Sequence, residues 1–464
     1  MQKLFDEVNT LDERCYNEFG LSEDILMEHA ANGIANFIRS NFSKESRITI
    51  VCGSGNNGAD GLALARLLYK EHKVKIFYAK TPTSKMCMLQ MERVHAIGVE
   101  TTRELNPCDV LVDAMFGTGF KGTLKNEMKS VLQTINKLQA YKIACDIPTG
   151  IMKNGLCNEN TFKADTTLTM GALKKSMFTD KAKDFIGKIQ VLNLGVARSI
   201  YEKESSWNLL DSSDLELPFR AAKNTHKGSF GHLAVLAGDK AGASMMSGLS
   251  ALKFGTGLVT IISDKEPYNM PYSMMYSPQK PTNTTALALG MGLGVDYSTT
   301  KLTAFLDNKL PVIADADIFS MPSAITILQR ENLVLTPHPK EFISLLKLTK
   351  LASITVQELQ NDRFKYTKLF CKQYPKVTLL LKGANVIIGQ SEEFFINANG
   401  TSALAKGGSG DILSGLIGAL LAQGYSCLHA TIHASLAHTK LVQDYVGADF
   451  SLTPSDLIHG IGNL

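Results

Sequence analysis

Residues 47–61 read Arg-Ile-Thr-Ile-Val-Cys-Gly-Ser-Gly-Asn-Asn-Gly-Ala-Asp-Gly. An apolar, β-branched run from Arg47 to Cys52 gives way to a glycine-rich turn, and a helical pattern follows over Gly61 to Glu71. Glycine lets the backbone turn sharply and approach a ligand closely. A helix starting at about Ala59 would point amide N–H groups at a phosphate held by the turn. The two adjacent asparagines and the aspartate argue for more than a structural turn, because they put several polar groups on one short loop.

The same alternation continues outward. Strands are predicted at Val74 to Tyr78, Val110 to Asp113, Lys142 to Asp146, Thr167 to Met170 and Ile189 to Leu194. Apolar runs alternating with helices imply a parallel sheet covered on both faces. Ligands on such sheets bind at the carboxyl ends of the strands, so the informative loops are those that follow strands. An NAD dehydrogenase would carry an acidic residue after the second strand to hold the ribose. Here that strand ends Phe77-Tyr78-Ala79-Lys80, which disfavours an ordinary dehydrogenase. The third strand ends at Asp113, before Ala114-Met115-Phe116-Gly117-Thr118-Gly119-Phe120-Lys121-Gly122. The fourth ends Asp146-Ile147-Pro148-Thr149-Gly150. One such aspartate is commonly a cap or turn residue. Two of them beside glycine-rich loops, with Asn57, can converge on a cation or a polar substrate.

The polar stretch Gly195 to Pro218 reads as a boundary, dividing the chain at 1–205 and 206–464. A second alternating series follows, with strands at His232 to Leu236, Leu258 to Ile262, Ala286 to Leu289, Pro311 to Ala314, Leu333 to Leu335 and Val377 to Leu381. A short hairpin is read through Val386 to Ile388 and Glu393 to Ile396, and the chain is helical from Asp411. The fold class is therefore α/β, with two doubly wound domains. The strongest motif is Gly407-Gly408-Ser409-Gly410-Asp411, leading into ILSGLIGALLAQG. Three glycines in four residues before a helix build an anion hole from backbone amides. An aspartate there can accept the proton of a hydroxyl that attacks a phosphoryl group. The competing reading is Asp411 as a simple helix cap.

Composition bounds the rest. Hydrophobic residues make up 44% and charged residues 20% of 464, ordinary for a folded chain. The formal net charge of +4 comes without a long basic run, so nucleic acid is not indicated. Cys15, Cys52, Cys87, Cys108, Cys145, Cys157, Cys371 and Cys427 form no CxxC pair, which argues against zinc. They read as small buried hydrophobes in a reducing cytosol. The N-terminus MQKLFDEVNT has no apolar core of a signal peptide, and no apolar run approaches the ~20 residues of a membrane span. A cytoplasmic homo-oligomer without membrane contact is expected.

The strings GSGNNGADG, DAMFGTGFKG and DIPTG, with Leu26-Met27-Glu28 upstream, resemble the NAD(P)H-hydrate epimerase family over about residues 1–200. The resemblance implies a Rossmann-like epimerase domain and a bound potassium ion. By position, Asn57, Asp113 and Thr149 resemble the potassium ligands. Asn56, Asn57, Gly58, Ala59, Asp60, the loop Gly117, Thr118, Gly119, Phe120, Lys121, Gly122, Thr123, and Asp146 resemble the substrate contacts. Ala59 stands where a third glycine is common, and Thr149 where serine is common. Asp146 is the choice for proton transfer at the hydrated C6 centre. GGSGD resembles the ribokinase-like superfamily. With GSFGHLAVLAG (228–238), LKFGTGLVTI, GMGLG (290–294), ADAD (314–317), LTPHPKEF and LKGANVII it resembles the NAD(P)H-hydrate dehydratase family over about residues 215–464. By position, Thr256, Gly292, His338 and Asp411 resemble substrate contacts, although Thr256 departs from the usual GAGLV. Lys382, Gly383, Ala384, Asn385, Val386, Gly407, Gly408, Ser409 and Gly410 resemble nucleotide contacts. Asn399-Gly400-Thr401-Ser402 departs from the common glycine-proline form.

His338 lies between two prolines, a rigid extended setting that suits either a structural or a functional histidine. Asp315 and Asp317 can hold Mg²⁺ through water or cap the next segment. The implied function is repair of damaged nicotinamide cofactor. One domain epimerises NADHX and NADPHX at C6; the other dehydrates one epimer, with ADP or ATP as phosphoryl donor, ADP being the expected one. The alternatives are a vitamin or sugar kinase with a nucleotide-binding accessory domain, and a first half that only binds or scaffolds.

Overall fold

The computed structural model describes residues 1–117, 119–120, 122–306 and 309–464. The chain divides into one compact unit of Lys3–Ser205 and another of Ser206–Leu464 with Met1–Gln2.

In the first unit seven strands form one parallel sheet. They are β1 (Arg47–Cys52), β2 (Lys73–Tyr78), β3 (Thr101–Thr102), β4 (Val110–Ala114), β5 (Tyr141–Cys145), β6 (Thr166–Met170) and β7 (Lys188–Leu192). Their order is β3-β2-β1-β4-β5-β6-β7, so the winding reverses between β1 and β4. That is the doubly wound arrangement, and its ligand crevice opens at the reversal. A separate parallel pair joins Gln2–Phe5 to Leu173–Lys174, with Leu4 opposite Leu173 and Phe5 opposite Lys174.

Helix α1 (Asn56–Leu68) follows β1. It begins three residues before the expected Ala59, because Gly55 is extended and its carbonyl already accepts the Ala59 N–H at 3.1 Å. The expected role of its glycines also needs correction. A Cβ at Gly53 would stand 2.0 Å from the Met115 carbonyl oxygen. One at Gly58 would stand 2.2 Å from the Gly53 oxygen, and one at Gly61 would stand 2.6 Å from Ala114 Cβ. These three glycines let turn and helix pack onto β1 and β4; only Gly55 faces open space. Gly58→Ala must displace backbone, so it is expected to cost ~1–3 kcal/mol, seen as a lower urea midpoint of the full chain.

The second unit contains β8 (Trp207–Leu209), β9 (His232–Leu236), β10 (Leu258–Ile262), β11 (Met275–Ser277), β12 (Ala286–Leu289), β13 (Val312–Ala314), β14 (Leu333–Leu335), β15 (Val377–Leu381), β16 (Val386–Gln390) and β17 (Glu393–Asn397). Their order is β11-β10-β9-β12-β13-β14-β15-β16-β17-β8, parallel through β15. The expected hairpin is there, antiparallel, with Ile387 opposite Ile396. Its helices include α2 (Ala241–Lys253), α3 (Pro339–Leu348), α4 (Arg363–Gln373), α5 (Ser409–Ala422) and α6 (Cys427–Gln443). Helix α5 is buried along most of its length and meets α2 so closely that a Cβ at Gly415 would stand 2.0 Å from Ser250 Oγ.

The stretch read as a boundary is more structured than expected. It holds β8, whose Trp207 stacks on Phe394 with ring centroids 4.4 Å apart, and a helical turn ending in buried Tyr201. β8 lies in the polar run EKESSWNLLDSS without a continuous apolar stretch, which is why the sequence pattern does not reveal it. Of the eight free cysteines seven are buried, and Cys157 is half-buried. Among the described residues no helix is long and apolar enough to cross a membrane.

Candidate active sites

In the first unit a pocket of about 820 Å³ lies over the carboxyl ends of the strands. The β1 turn contributes Ser54, Gly55, Asn56 and Asn57, and α1 contributes Asp60. The loop after β4 contributes Phe116, Gly117, Gly119, Phe120 and Thr123; Asp146 follows β5. Of the residues read as substrate contacts, Asn56, Asn57, Asp60, Gly117, Gly119, Phe120, Thr123 and Asp146 therefore come together. Gly58 and Ala59 do not: they lie buried on the inner side of α1, where the helix packs on the sheet. Gly122 is outside the pocket wall, and Thr118 and Lys121 lie outside the described residues.

Asp146 is held with care. Its φ of +70° is a left-handed conformation that a non-glycine residue keeps only when its surroundings impose it. Its Oδ1 accepts the Met170 N–H at 3.1 Å and the ammonium of Lys174, a side chain with no exposure at all. Lys174 also donates to Thr169 Oγ1 and to the Met170 carbonyl, both at 2.8 Å. Sequence reasoning missed Lys174, since no motif marks a lysine in GALKKSMF. Burial, reinforced by Asp146, Asp12 and Glu23, pushes the Asp60 carboxyl well above the usual carboxylate range. Burial likewise raises Asp12, another unread member of the pocket, to about 6, although Tyr201 donates a hydrogen bond to it.

Behind the pocket, Asp113 is fully buried and accepts from Thr149 N–H and Thr149 Oγ1, both at 2.7 Å, and from Met115 N–H at 3.1 Å. Burial raises its carboxyl to about 6 against those donors. The Asn57 carboxamide is also buried, and neither its oxygen nor its nitrogen has a hydrogen-bond partner. The orphaned Asn57 amide oxygen, the Asp113 carboxylate and the Thr149 hydroxyl paired with it are hard-oxygen donors of the kind that suit an alkali or alkaline-earth cation. Gly117 lies between the Asn57 carboxamide and the Asp146 carboxylate, 3.6 and 3.2 Å from where its Cβ would be.

In the second unit Asp411 stands in the first turn of α5 and is half-buried. The cap position belongs to Gly408, left-handed at φ +93°, with no side-chain cap bond, so the simple capping role is excluded for Asp411. Burial and the charge of Asp315 push its carboxyl up to about 6, with Lys382 opposing. Lys382 Nζ meets Asp315 at 2.7 and 2.9 Å, and a Cβ at Gly410 would lie 3.3 Å from that nitrogen. Ser414 Oγ donates to Asp315 at 2.7 Å. Asp315 also caps the next 3-10 turn, and Asp317 accepts the Gly294 N–H at 2.8 Å, which fixes the loop that carries Gly292. Buried Arg363 on α4 donates to the carbonyls of Leu381, Lys382 and Asn385, which shapes the Lys382 to Val386 turn.

His338 caps α3. Its Nδ1 accepts from Lys340 and Glu341 N–H, so the neutral ring carries its proton on Nε2, and burial and Lys382 hold its pKa below the ordinary value. Glu341 beside it was not read from the sequence; burial raises its carboxyl to about 7. Thr256 is a correction. It precedes β10, and the adjacent Gly255 approaches Gln423 at the far end of α5, ~18 Å of helix from Asp411. The structure does not bring it to the Asp411 cluster. The signal was available, because residues before a parallel strand lie at the end away from the ligand.

A pocket over the carboxyl ends of one parallel sheet, with Asp146 in its wall, and a cluster of Asp411, Asp315 and Lys382 at the glycine-rich turn of the second unit are the candidate active sites of a two-domain α/β enzyme. A family model described as YjeF-related protein N-terminus matches residues 23–176, and one described as NAD(P)H-hydrate dehydratase matches residues 233–461. The chain belongs to the bifunctional NAD(P)H-hydrate repair enzymes: it is 42% identical to the one of Helicobacter pylori over 100% of both chains, and 32% identical to that of Coxiella burnetii over 96% and 95%. A solved ADP/ATP-dependent NAD(P)H-hydrate dehydratase of Bacillus subtilis, co-crystallised with ATP/Mg²⁺, is 27% identical, covers 53% of this chain and 92% of its own, and has a TM-score of 0.46. Epimerase and dehydratase activities both belong to this family, and the vitamin or sugar kinase alternative is not favoured.

Proposed function

We propose that the first unit exchanges the C6 hydroxyl of NAD(P)HX between its two faces through Asp146. The second unit removes that hydroxyl as phosphate, starting at Asp411. The single observation that carries the assignment is the pair of aspartates, Asp146 in the pocket wall after β5 and Asp411 in the first turn of α5 beside Lys382 and Asp315. Hydroxyl exchange needs a group that takes and returns a proton at the C6 oxygen. Asp146 suits it, held on one side by Lys174 and open to the pocket on the other. K⁺, bound by Asn57 with Asp113 and Thr149, would supply fixed positive charge beside the pocket; the orphaned Asn57 oxygen supports that choice.

In the second unit Asp411 takes the proton from the C6 hydroxyl as its oxygen attacks the terminal phosphoryl of the nucleotide. The P–O bond to the nucleotide breaks, leaving AMP when the donor is ADP. The nitrogen lone pair of the ring then expels phosphate from C6, and loss of a C5 proton restores the dihydropyridine. Backbone amides at Gly407 to Gly410 and the Lys382 ammonium steady the transferring phosphoryl. Mg²⁺ would offset the phosphate charge, with Asp317 the better-placed contributor because Asp315 is engaged by Lys382 and Ser414. Unpaired cysteines suit a reducing cytosolic compartment.

The test is recovery of absorbance at the reduced-nicotinamide band from separately purified epimers, with Mg²⁺ and ADP or ATP. Recovery from both epimers, faster with ADP, is expected. Recovery from one epimer alone would sink the epimerase assignment. A stable phosphorylated product without recovery would sink the dehydratase assignment.

A further inference from the structure

We infer that Lys80 makes the first unit select NADPHX over NADHX by pairing with the 2′-phosphate of the adenosine ribose. The inference rests on the epimerase reading of that unit and deepens it. In a doubly wound sheet a dinucleotide lies across the winding reversal, with its pyrophosphate at the turn after the first strand. Its adenosine ribose then falls at the carboxyl end of the next strand outward, and its nicotinamide over the strands on the other side. Here the reversal lies between β1 and β4. Asp146, which follows β5, occupies the nicotinamide side. Lys80 follows β2 and occupies the ribose side. Both line the same pocket, with Ser54, Gly55 and Asn56 of the β1 turn also in its wall.

The position of Lys80 is fixed by its neighbours. Ala79 N–H donates to the Cys52 carbonyl at 2.9 Å. The N–H groups of Thr83 and Ser84 donate to the Ser54 carbonyl at 2.9 and 3.0 Å. The segment Ala79 to Ser84 is thereby stitched to the phosphate-facing turn. Lys80 itself is exposed and has no ion pair among the described residues, so its ammonium is available. A ribose 2′-hydroxyl is recognised at such a place by a carboxylate, and a 2′-phosphate by a cation. No carboxylate stands in Phe77-Tyr78-Ala79-Lys80-Thr81. The pocket's carboxylates, Asp12, Glu23, Asp60, Glu127 and Asp146, come from other elements.

The experiment compares kcat/KM for epimerisation of NADPHX and NADHX by the full chain and by Lys80→Ala and Lys80→Glu. A charge-assisted pair at an exposed site of this kind is worth about ten-fold. Lys80→Ala is expected to lower kcat/KM for NADPHX about ten-fold, mainly through KM, and to leave NADHX unchanged. Lys80→Glu is expected to reverse the preference. Equal effects on both substrates, or none on either, would overturn the role of Lys80 while leaving the epimerase reading intact. Failure of the unaltered chain to epimerise either compound would overturn that reading and this one with it.

Discussion

Asp411→Asn is expected to lower nucleotide-dependent NAD(P)H regeneration by about 10²–10⁴-fold, the usual contribution of a positioned base. The fold should hold, because the bond that ties this turn of α5 to α2 runs from Ser247 Oγ to the Asp411 backbone carbonyl at 2.7 Å and survives the change. The pH profile tests the same role. Asp411 must be ionised to accept the proton, and its carboxyl is pushed up to about 6. The base is therefore lost as pH falls through about 6, whereas an ordinary aspartate would persist to about 4. Log kcat/KM for dehydration should fall one unit per pH unit on that acid limb. A profile flat down to pH 5 would remove Asp411 from the proton transfer.

The second large effect belongs to a residue outside the pocket wall. Lys174→Met is expected to destabilise the first unit by ~3–5 kcal/mol, because it leaves the Asp146 carboxylate buried without its counter-charge. Urea unfolding of the full chain should show an early transition, and epimerisation should be lost. The double variant Lys174→Met/Asp146→Asn separates the two consequences. It should recover most of the lost stability, since no unpaired charge remains, yet stay inactive as an epimerase. A single variant as stable as the parent would show that the pair contributes nothing to the fold.

What could be read in advance follows from how far apart the interacting residues lie. The GGSGD turn was legible because glycine geometry, helix start and carboxylate occur within five residues. Most strand positions and the two aspartates at the ends of β4 and β5 were legible because buried parallel strands are continuous apolar runs. The purpose of Gly53, Gly58 and Gly61 was not, since the atoms that exclude a side chain belong partly to Ala114 and Met115, far along the chain. Lys174 was invisible for the same reason: only the fold brings it to Asp146. His338 was read as a rigid histidine between prolines and proves to be a helix cap, its Nδ1 taken by two backbone amides. Thr256 was carried into the site by its motif although it lies before β10 rather than after it.

Lys174 sits on a strand of only two residues, which pairs with Leu4 and Phe5. The counter-charge of the epimerase centre is thus anchored to a segment that joins it from the start of the chain. Contacts that close so long a loop are disfavoured by chain entropy until most of a structure exists. The centre is accordingly expected to be completed late in folding, after the seven-stranded sheet is in place. It is also coupled to any local fraying of residues 2–5, so slow hydrogen exchange at Leu4 and Phe5 becomes a readout of an intact epimerase centre.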